Sequence, residues 1–466
     1  MPSPLKIANA SAFWGDEPEA AARLVAQQPD LDYVTFDYLA EVSLSILAIQ
    51  RAKDPTAGYA RDFIDVVCSL APFWLAGGKT RIVTNAGGLD PVACGHACRT
   101  ALHAAKLPQL KIAVVTGDDV LAQVRGGPGV PPPGGATREA HDPPFANLET
   151  GAPLSAVAER LVTANAYLGA APIADALRAG ADLVITGRVA DPSLTVGPCL
   201  AHFGWSGADY DRLAGATVAG HLIECGTQVC GGFSTDWLGL PAPHDIGFPL
   251  AEIFDDGSCV ITKPAGTGGV VTVQTVKEQL LYEIGDPGHY LSPDASVSFL
   301  TLRVEQAGRD RVRVSGATGR APPSSYKVSA TYRDGYKAHG QLAIFGHDAV
   351  KKARHAGEAV LHRLRAAGCD YRETLVECLG TGASVRGIAS RVSDTHLVET
   401  MLRVSVAADT KEPVERFTKA IAPLVTSGPQ GVTGYATGRP KVLPIFGYWP
   451  CLIDRRLVKP TTRFLS

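Results

Sequence analysis

The 466-residue chain lacks an excess of either charge: 44 lysines and arginines stand against 46 aspartates and glutamates, a formal net charge of -2. That balance leaves no electrostatic footprint for nucleic acid or an anionic membrane surface. Any anionic ligand must be held by local groups. No apolar run approaches the roughly 18 residues that a membrane span requires. Met1 to Ala12 lacks the basic and apolar regions of a secretory signal. The ten cysteines include no Cys-x-x-Cys pair and no zinc-like double pair. A reducing, cytoplasmic location is the simplest reading. Neither Gly-x-Gly-x-x-Gly nor a Walker lysine occurs, which disfavours a standard dinucleotide or P-loop site. What remains is a chain with 45% hydrophobic and 19% charged residues, the composition of a globular enzyme.

At this length two domains are the natural expectation. The first 200 residues alternate short apolar runs with helical patterns, as βαβ units and a parallel sheet require. Expected strands are Leu5 to Ala8, Tyr33 to Phe36, Thr80 to Thr84, Lys111 to Thr116 and Asp182 to Thr186. Expected helices between them are Pro18 to Gln28, Tyr59 to Ala76, Pro91 to Ala105 and Pro172 to Ala179, with Asp90 as an N-cap and Pro91 and Pro172 in first turns. Carboxyl ends of parallel strands share one edge, so the polar residues after each strand should converge there. Gly126 to Gly135 is too rich in glycine and proline for a helix or interior strand. It reads either as a loop reaching over the cleft or as a plain connection.

Beyond Gly231-Gly232 the pattern changes to alternation at period two over Val297 to Val304, Arg311 to Ser315, Lys327 to Arg333 and His339 to Ile344. Turn signals stand at Gly308-Arg309-Asp310 and Asp334-Gly335, and helical patterns at Asp348 to Ala367 and Pro413 to Leu424. The expected architecture is therefore α/β: a Rossmann-like domain over residues 1–240 with mostly parallel strands and flanking helices. An α+β, ferredoxin-like domain with an antiparallel sheet follows over 241–466.

Several clusters carry possible chemistry. In Thr186-Gly187-Arg188-Val189-Ala190-Asp191-Pro192-Ser193, Arg188 suits a carboxylate or phosphate, and Asp191 reads first as a helix cap and second as a catalytic group. Asn85 with the Gly87 and Gly88 amides offers donors to an enolate-like oxygen. His221 and Glu224, three residues apart on a helix, suit acid and base work or the ordering of a metal. Only one histidine is present there and no His-Glu-x-x-His pattern, so the sequence leaves a metal open without supporting one. Cys225 or Ser193 could instead act as a nucleophile with His221 as base. Lys263 opens a glycine-rich segment that either cradles an anion or is only a loop. Cys94, His96 and Cys98 read as core and surface residues, and Lys327 as part of a solvated hairpin.

Taken together, Asn9-Ala10-Ser11, Asp37 to Glu41, Gln50 to Pro55, Asn85 to Pro91, Gly187 to Ser193, Glu224-Cys225-Gly226, Thr262 to Gly269, Gln279 to Pro287 and Tyr332 to Tyr336 resemble the acyclic terpene utilisation protein A (AtuA-like) family. The resemblance spans roughly residues 5 to 450. It implies a place in the catabolism of citronellol-type terpenes, which runs through branched acyl-CoA thioesters, and it assigns no catalytic residue. The expectation is a cytoplasmic, homo-oligomeric enzyme without a cofactor that hydrates or dehydrates a small carboxylic acid or its CoA thioester. Glu224, His221, Asp191, Asp37 and Cys225 are the candidate catalytic groups; Asn85, Gly87, Gly88, Arg188, Ser193 and Lys263 are the candidate binding groups. A hydrolase of a thioester, amide or lactone and a non-catalytic acyl-CoA-binding partner of a carboxylase are the alternatives.

Overall fold

Short apolar runs that end in glycine or a polar residue form the centre of the protein, seen in a computed structural model that describes residues 3–126, 145–385, 396–434 and 438–465. β1 (Leu5–Asn9), β2 (Tyr33–Phe36), β3 (Arg81–Thr84), β4 (Ile112–Thr116) and β5 (Leu183–Thr186) are the five expected strands. They are parallel, in the order β1-β2-β3-β5-β4. β2 and β5 are buried along their whole length, which fits strands covered by helices on both faces.

Antiparallel strands widen this sheet on both sides. β6 (Leu250–Ile253), β7 (Cys259–Thr262), β8 (Arg303–Gly308) and β9 (Arg311–Ser315) continue outward from β1, and β10 (Thr461–Phe464) adds to β4. The result is a ten-stranded mixed sheet flanked by helices. Four helices brace the strand ends or carry side chains to them. α1 (Pro91–Ala104) starts where expected: Asp90 accepts a hydrogen bond from the Ala93 amide at 2.9 Å, and Pro91 occupies the first turn. α2 (Ser193–Phe203) and α3 (Tyr210–Glu224) follow β5. α3 is buried from Leu213 to Ile223 on every face, as a helix with no polar stripe must be. α4 (Val273–Leu281) begins in a capping box built by Thr272 and Thr275.

The chain divides into two compact units, residues 1–331 with 448–466, and residues 332–447. Residue 240 lies inside the first unit, because β6 to β9 join the sheet that β1 begins. The second unit pairs the later part of the long strand Ser325–Phe345 with Glu399–Ala408, and the latter with Glu373–Leu379, all antiparallel. Helices Ala349–Ala366 and Lys411–Ala420 pack on this sheet around Phe417, Val404 and Leu402. The turn expected at Asp334-Gly335 is absent. The strand runs through it, with Gly335 at φ +86° where a Cβ would meet the Ala408 carbonyl oxygen at 2.4 Å. The partner strand comes from residues 399–408 instead of from a local hairpin. The hairpin at Gly308 to Asp310 does form, between β8 and β9. Most of the Gly126 to Gly135 segment lies outside the described residues. Among those residues no helix is long and apolar enough to cross a membrane.

Gly87, between β3 and α1, shows how tightly the strand ends are joined. A Cβ there would meet the Thr186 carbonyl oxygen at 2.5 Å and the Pro91 Cα at 2.8 Å, backbone on both sides. Neither neighbour is a flexible side chain that can move away. Gly87→Ala should therefore destabilise the folded chain by about 1 to 3 kcal/mol, the usual cost of overpacking, measured by chemical denaturation; unchanged stability would show that the joint can open.

Candidate active site

The polar residues that follow the parallel strands meet at one edge. Asp37 follows β2 and accepts a hydrogen bond from Asn85 Nδ2 at 2.6 Å, while Asn85 Oδ1 accepts from the Tyr38 amide at 2.6 Å. Asn85 thereby ties the end of β3 to the end of β2, and it is fully buried. Asp118, reached from β4 through Gly117 at φ +103°, accepts from the Arg188 amide at 2.8 Å and from Asn165 Nδ2 at 2.8 Å. Asn9, at the end of β1, donates to the Ile223 and Glu224 carbonyls at 2.9 and 2.8 Å. It fixes the last turn of α3, and with it His221 and Glu224, against the sheet.

Arg188 is the cation at the centre of this edge. Its Nη1 donates to the Leu39 carbonyl, its Nη2 lies 2.9 Å from Asp191 Oδ1, and its plane covers the Tyr167 ring with the guanidinium carbon 4.0 Å from the centroid. Burial works against its charge, but Asp191, Tyr167 and Asp37 more than offset that and keep it protonated. The Asp191 contact is an ion pair without hydrogen-bond alignment, since Oδ1 accepts no bond. α2 starts after Pro192 with no side-chain cap. The capping role expected for Asp191 is thus absent, because its carboxylate turns to Arg188 instead.

A cavity of about 360 Å³ opens beside these groups. Arg188, Asp191, His221, Glu224 and Tyr290 line it together with Glu41, Glu283, Tyr167 and Lys327, and Leu148, Leu291 and Leu452 supply an apolar wall. The 33% of the Asp191 side chain left uncovered faces this space. Such a volume, where acidic, basic and phenolic groups meet an apolar wall, is that of a small-molecule site.

His221 and Glu224 share one proton. His221 Nε2 lies 2.9 Å from the Gln279 carbonyl oxygen, which only accepts, so Nε2 carries a hydrogen. Nδ1 lies 2.9 Å from Glu224 Oε1. The proton between them belongs either to a carboxyl beside a neutral imidazole or to an imidazolium beside a carboxylate. Burial decides this by penalising charge. It pushes His221 below its ordinary value, and it pushes Glu224 well above its own, with the Asp191 and Glu283 charges adding to the latter. The neutral pair wins. Glu224 Oε2 is then a buried oxygen with no partner. Burial, reinforced by the charge of Asp191, also keeps Asp37 well above the carboxylate range, against the opposing pulls of Arg188 and Asn85. Asp191 is raised by burial too, with Arg188 and Lys327 pulling the other way.

The structure brings Arg188, Asp191, His221 and Glu224 to the cavity, with Asp37 close enough to feel Asp191 and Arg188. The remaining candidates do not line it. Asn85, Gly87 and Gly88 join strand ends, and Gly88 at φ +53° packs against Leu47 and Gly58. Ser193 is fully buried and donates to Asp294 at 2.5 Å. Burial raises the Cys225 thiol far above neutrality. Lys263 donates to the Thr267 carbonyl at 2.8 Å and sits 3.8 Å from Asp310, so it closes its own loop. Sequence reasoning passed over Tyr167, Tyr290, Glu283, Lys327 and Asp118. Of these, Glu283 falls in Gln279 to Pro287 and Lys327 opens the alternating run Lys327 to Arg333, segments that stood out for other reasons. Lys327 reads as a solvated hairpin residue but lines the cavity. Among the described residues no group of three or more His, Cys, Asp and Glu is placed to hold a metal.

Fold and site define a mixed α/β protein with a buried acid–base cluster at the strand edge of its large sheet. Residues 5–464 match the family described as acyclic terpene utilisation family protein AtuA, and the chain belongs to that family. Searches of curated proteins and of solved structures returned no match.

Asp118 gives a pH signature. Burial raises its carboxyl to about 6, against its hydrogen bonds from Arg188 and Asn165. A folded value above the unfolded one means that the native state holds the proton more tightly. The group's contribution to stability is therefore most favourable at acid pH and declines as pH rises from about 4 to about 6, with a slope of at most about 1.4 kcal/mol per pH unit. Asp118→Asn should flatten the stability-against-pH curve in that window, read by denaturation at each pH; an unchanged curve would contradict it.

Proposed function

We propose that the chain is an enzyme that adds or removes water at a small acyclic carboxylic acid or its CoA thioester. The observation that carries this reading is a carboxyl that burial pushes towards its protonated form, Glu224 at 2.9 Å from His221, sharing a cavity with Asp191, whose carboxyl lies 2.9 Å from the Arg188 guanidinium. Two carboxyl groups whose surroundings push their proton affinities apart form an acid and a base. In the dehydration direction Asp191 takes the proton from the carbon next to the carbonyl. The carbon–oxygen bond one carbon further on breaks, and the hydroxyl leaves as water with the proton of Glu224. Hydration is the reverse. Exchange with solvent then returns the two carboxyls to their starting forms. Tyr290, whose phenol burial holds in the protonated state, supplies a donor to the enolate-like oxygen.

A role in the use of acyclic terpenes is what the family description adds, and it fits a substrate with a short hydrocarbon chain against Leu148, Leu291 and Leu452. The same reading takes the parallel strands as Rossmann-like and the second unit as ferredoxin-like. A hydrolase built on Cys225 or Ser193 has less support. The thiol is held protonated, the hydroxyl is committed to Asp294, and both His221 nitrogens are already engaged.

The test is turnover of a panel of 2,3-unsaturated and 3-hydroxy acyl-CoAs, with the free acids alongside, by the purified chain. Glu224→Gln should lower kcat by about 10² to 10⁴, the usual contribution of a positioned acid, while Cys225→Ala retains wild-type activity. A folded chain that turns over no member of the panel would contradict the proposal and favour a binding role without catalysis.

A further inference from the structure

Arg188 looks like the natural anchor for a substrate anion, yet its charge already faces Asp191 and its one unpartnered donor, Nε, is buried. Nη1 is on Leu39, Nη2 faces Asp191, its face lies on Tyr167, and the residue is 2% exposed. The cavity holds a second cation, which acts on Asp191 from beyond ion-pairing distance. Lys327 is exposed on the cavity lining, and among the described residues no carboxylate lies within ion-pairing distance of it.

Its position is nevertheless defined. The Lys327 backbone carbonyl accepts from the Tyr167 amide at 2.9 Å. Its ammonium stands 5.1 Å from the centre of the Tyr167 ring and 6.0 Å from that of Tyr448, within the range where a ring face attracts a cation. Tyr167 thus carries Arg188 and Lys327 together, 4.0 and 5.1 Å from its ring centre. Two positive groups held near one ring repel each other, and Asp191 balances one of them. The other charge remains for a ligand.

We propose that Lys327, held by the Tyr167 and Tyr448 rings, is the anchor for a substrate carboxylate, and that the cavity takes a monocarboxylate with a short hydrocarbon chain. The hydrocarbon lies on the wall of Leu148, Leu291 and Leu452. Glu41 and Glu283, both exposed on the same lining, repel a negative charge that is not paired with Lys327 and so disfavour dicarboxylates. This inference rests on the cavity being the substrate site, as the proposed function requires, but it concerns binding and not the reaction.

Calorimetric titration of the full chain at pH 7 separates the two. The probes are 3-methylbutanoate, its uncharged isostere 3-methylbutanamide, and the dicarboxylate 3-methylglutarate. The wild type should bind the monocarboxylate roughly tenfold or more tighter than the other two, about 1.4 kcal/mol per factor of ten. Lys327→Met should erase the preference for carboxylate over amide without changing amide affinity, and Lys327→Arg should restore it. Tyr167→Phe should keep the preference, since the ring face remains, and Tyr167→Leu should weaken it. Equal binding of acid and amide by the wild type would overturn the inference and leave the hydration reading standing. A preference that survives Lys327→Met and disappears in Arg188→Lys would overturn it in favour of Arg188. Binding of none of the probes by a folded wild type would overturn both the inference and the use of this cavity for small acids.

Discussion

Burial around one arginine governs the carboxyl groups at the strand edge. Arg188 is the guanidinium that stands among Asp37, Asp191 and Glu224, three carboxyl groups that burial drives towards their neutral forms. Arg188 pairs with one carboxylate, and Asp191 is the one in ion-pairing distance, with Lys327 pulling on it from further off. The others keep protons because two further charges in this setting would have neither water nor a counter-ion. The difference between an acid and a base at this edge comes from that arithmetic more than from the chemistry of the individual side chains.

The fold supplies the arithmetic with its geometry. Parallel strands deliver their carboxyl ends to one edge, so Asn9, Asp37, Asn85, Asp118 and Arg188 arrive together from distant parts of the sequence. Three of them are spent on one another or on the backbone. Asn85 braces β2 to β3, Asp118 holds the backbone of Arg188, and Asn9 holds the end of α3. Their worth is positional: a buried amide or carboxylate with every partner in place resists the movement that would leave it unsatisfied. Gly87 and Gly187 complete the joint, since a side chain at either would strike Thr186 or Asp118.

The five parallel strands and the Asp90 cap are legible because their signals are local: apolar runs, a following glycine, a proline in the first turn. The same holds for Arg188 and the His221–Glu224 pair, which sit at a strand end and on one helix face. What is not legible depends on distant chain segments returning to the sheet. β8 and β9 read as part of a second domain because alternation at period two says nothing about which sheet a strand joins. Lys327 and Tyr290 carry no local mark of a site, and they matter only because the chain returns past Tyr167 and His221. Lys263, Cys225 and Asn85 stand out by residue type, but the chain around them decides their surroundings. Lys263 is taken up by its own loop, Asn85 by the end of β2, and the Cys225 thiol is pushed up by burial.

Acid–base chemistry at this edge stands or falls with the neutral His221–Glu224 pair. Nitrogen-15 NMR of histidine-labelled protein at pH 7, with the His221 signal assigned by its loss in His221→Gln, reads both ring nitrogens directly. The expected spectrum is that of a neutral ring with hydrogen on Nε2 and an unprotonated Nδ1 accepting from Glu224. An imidazolium protonated on both nitrogens at that pH would contradict it, since Glu224 would then be a carboxylate with no proton to give.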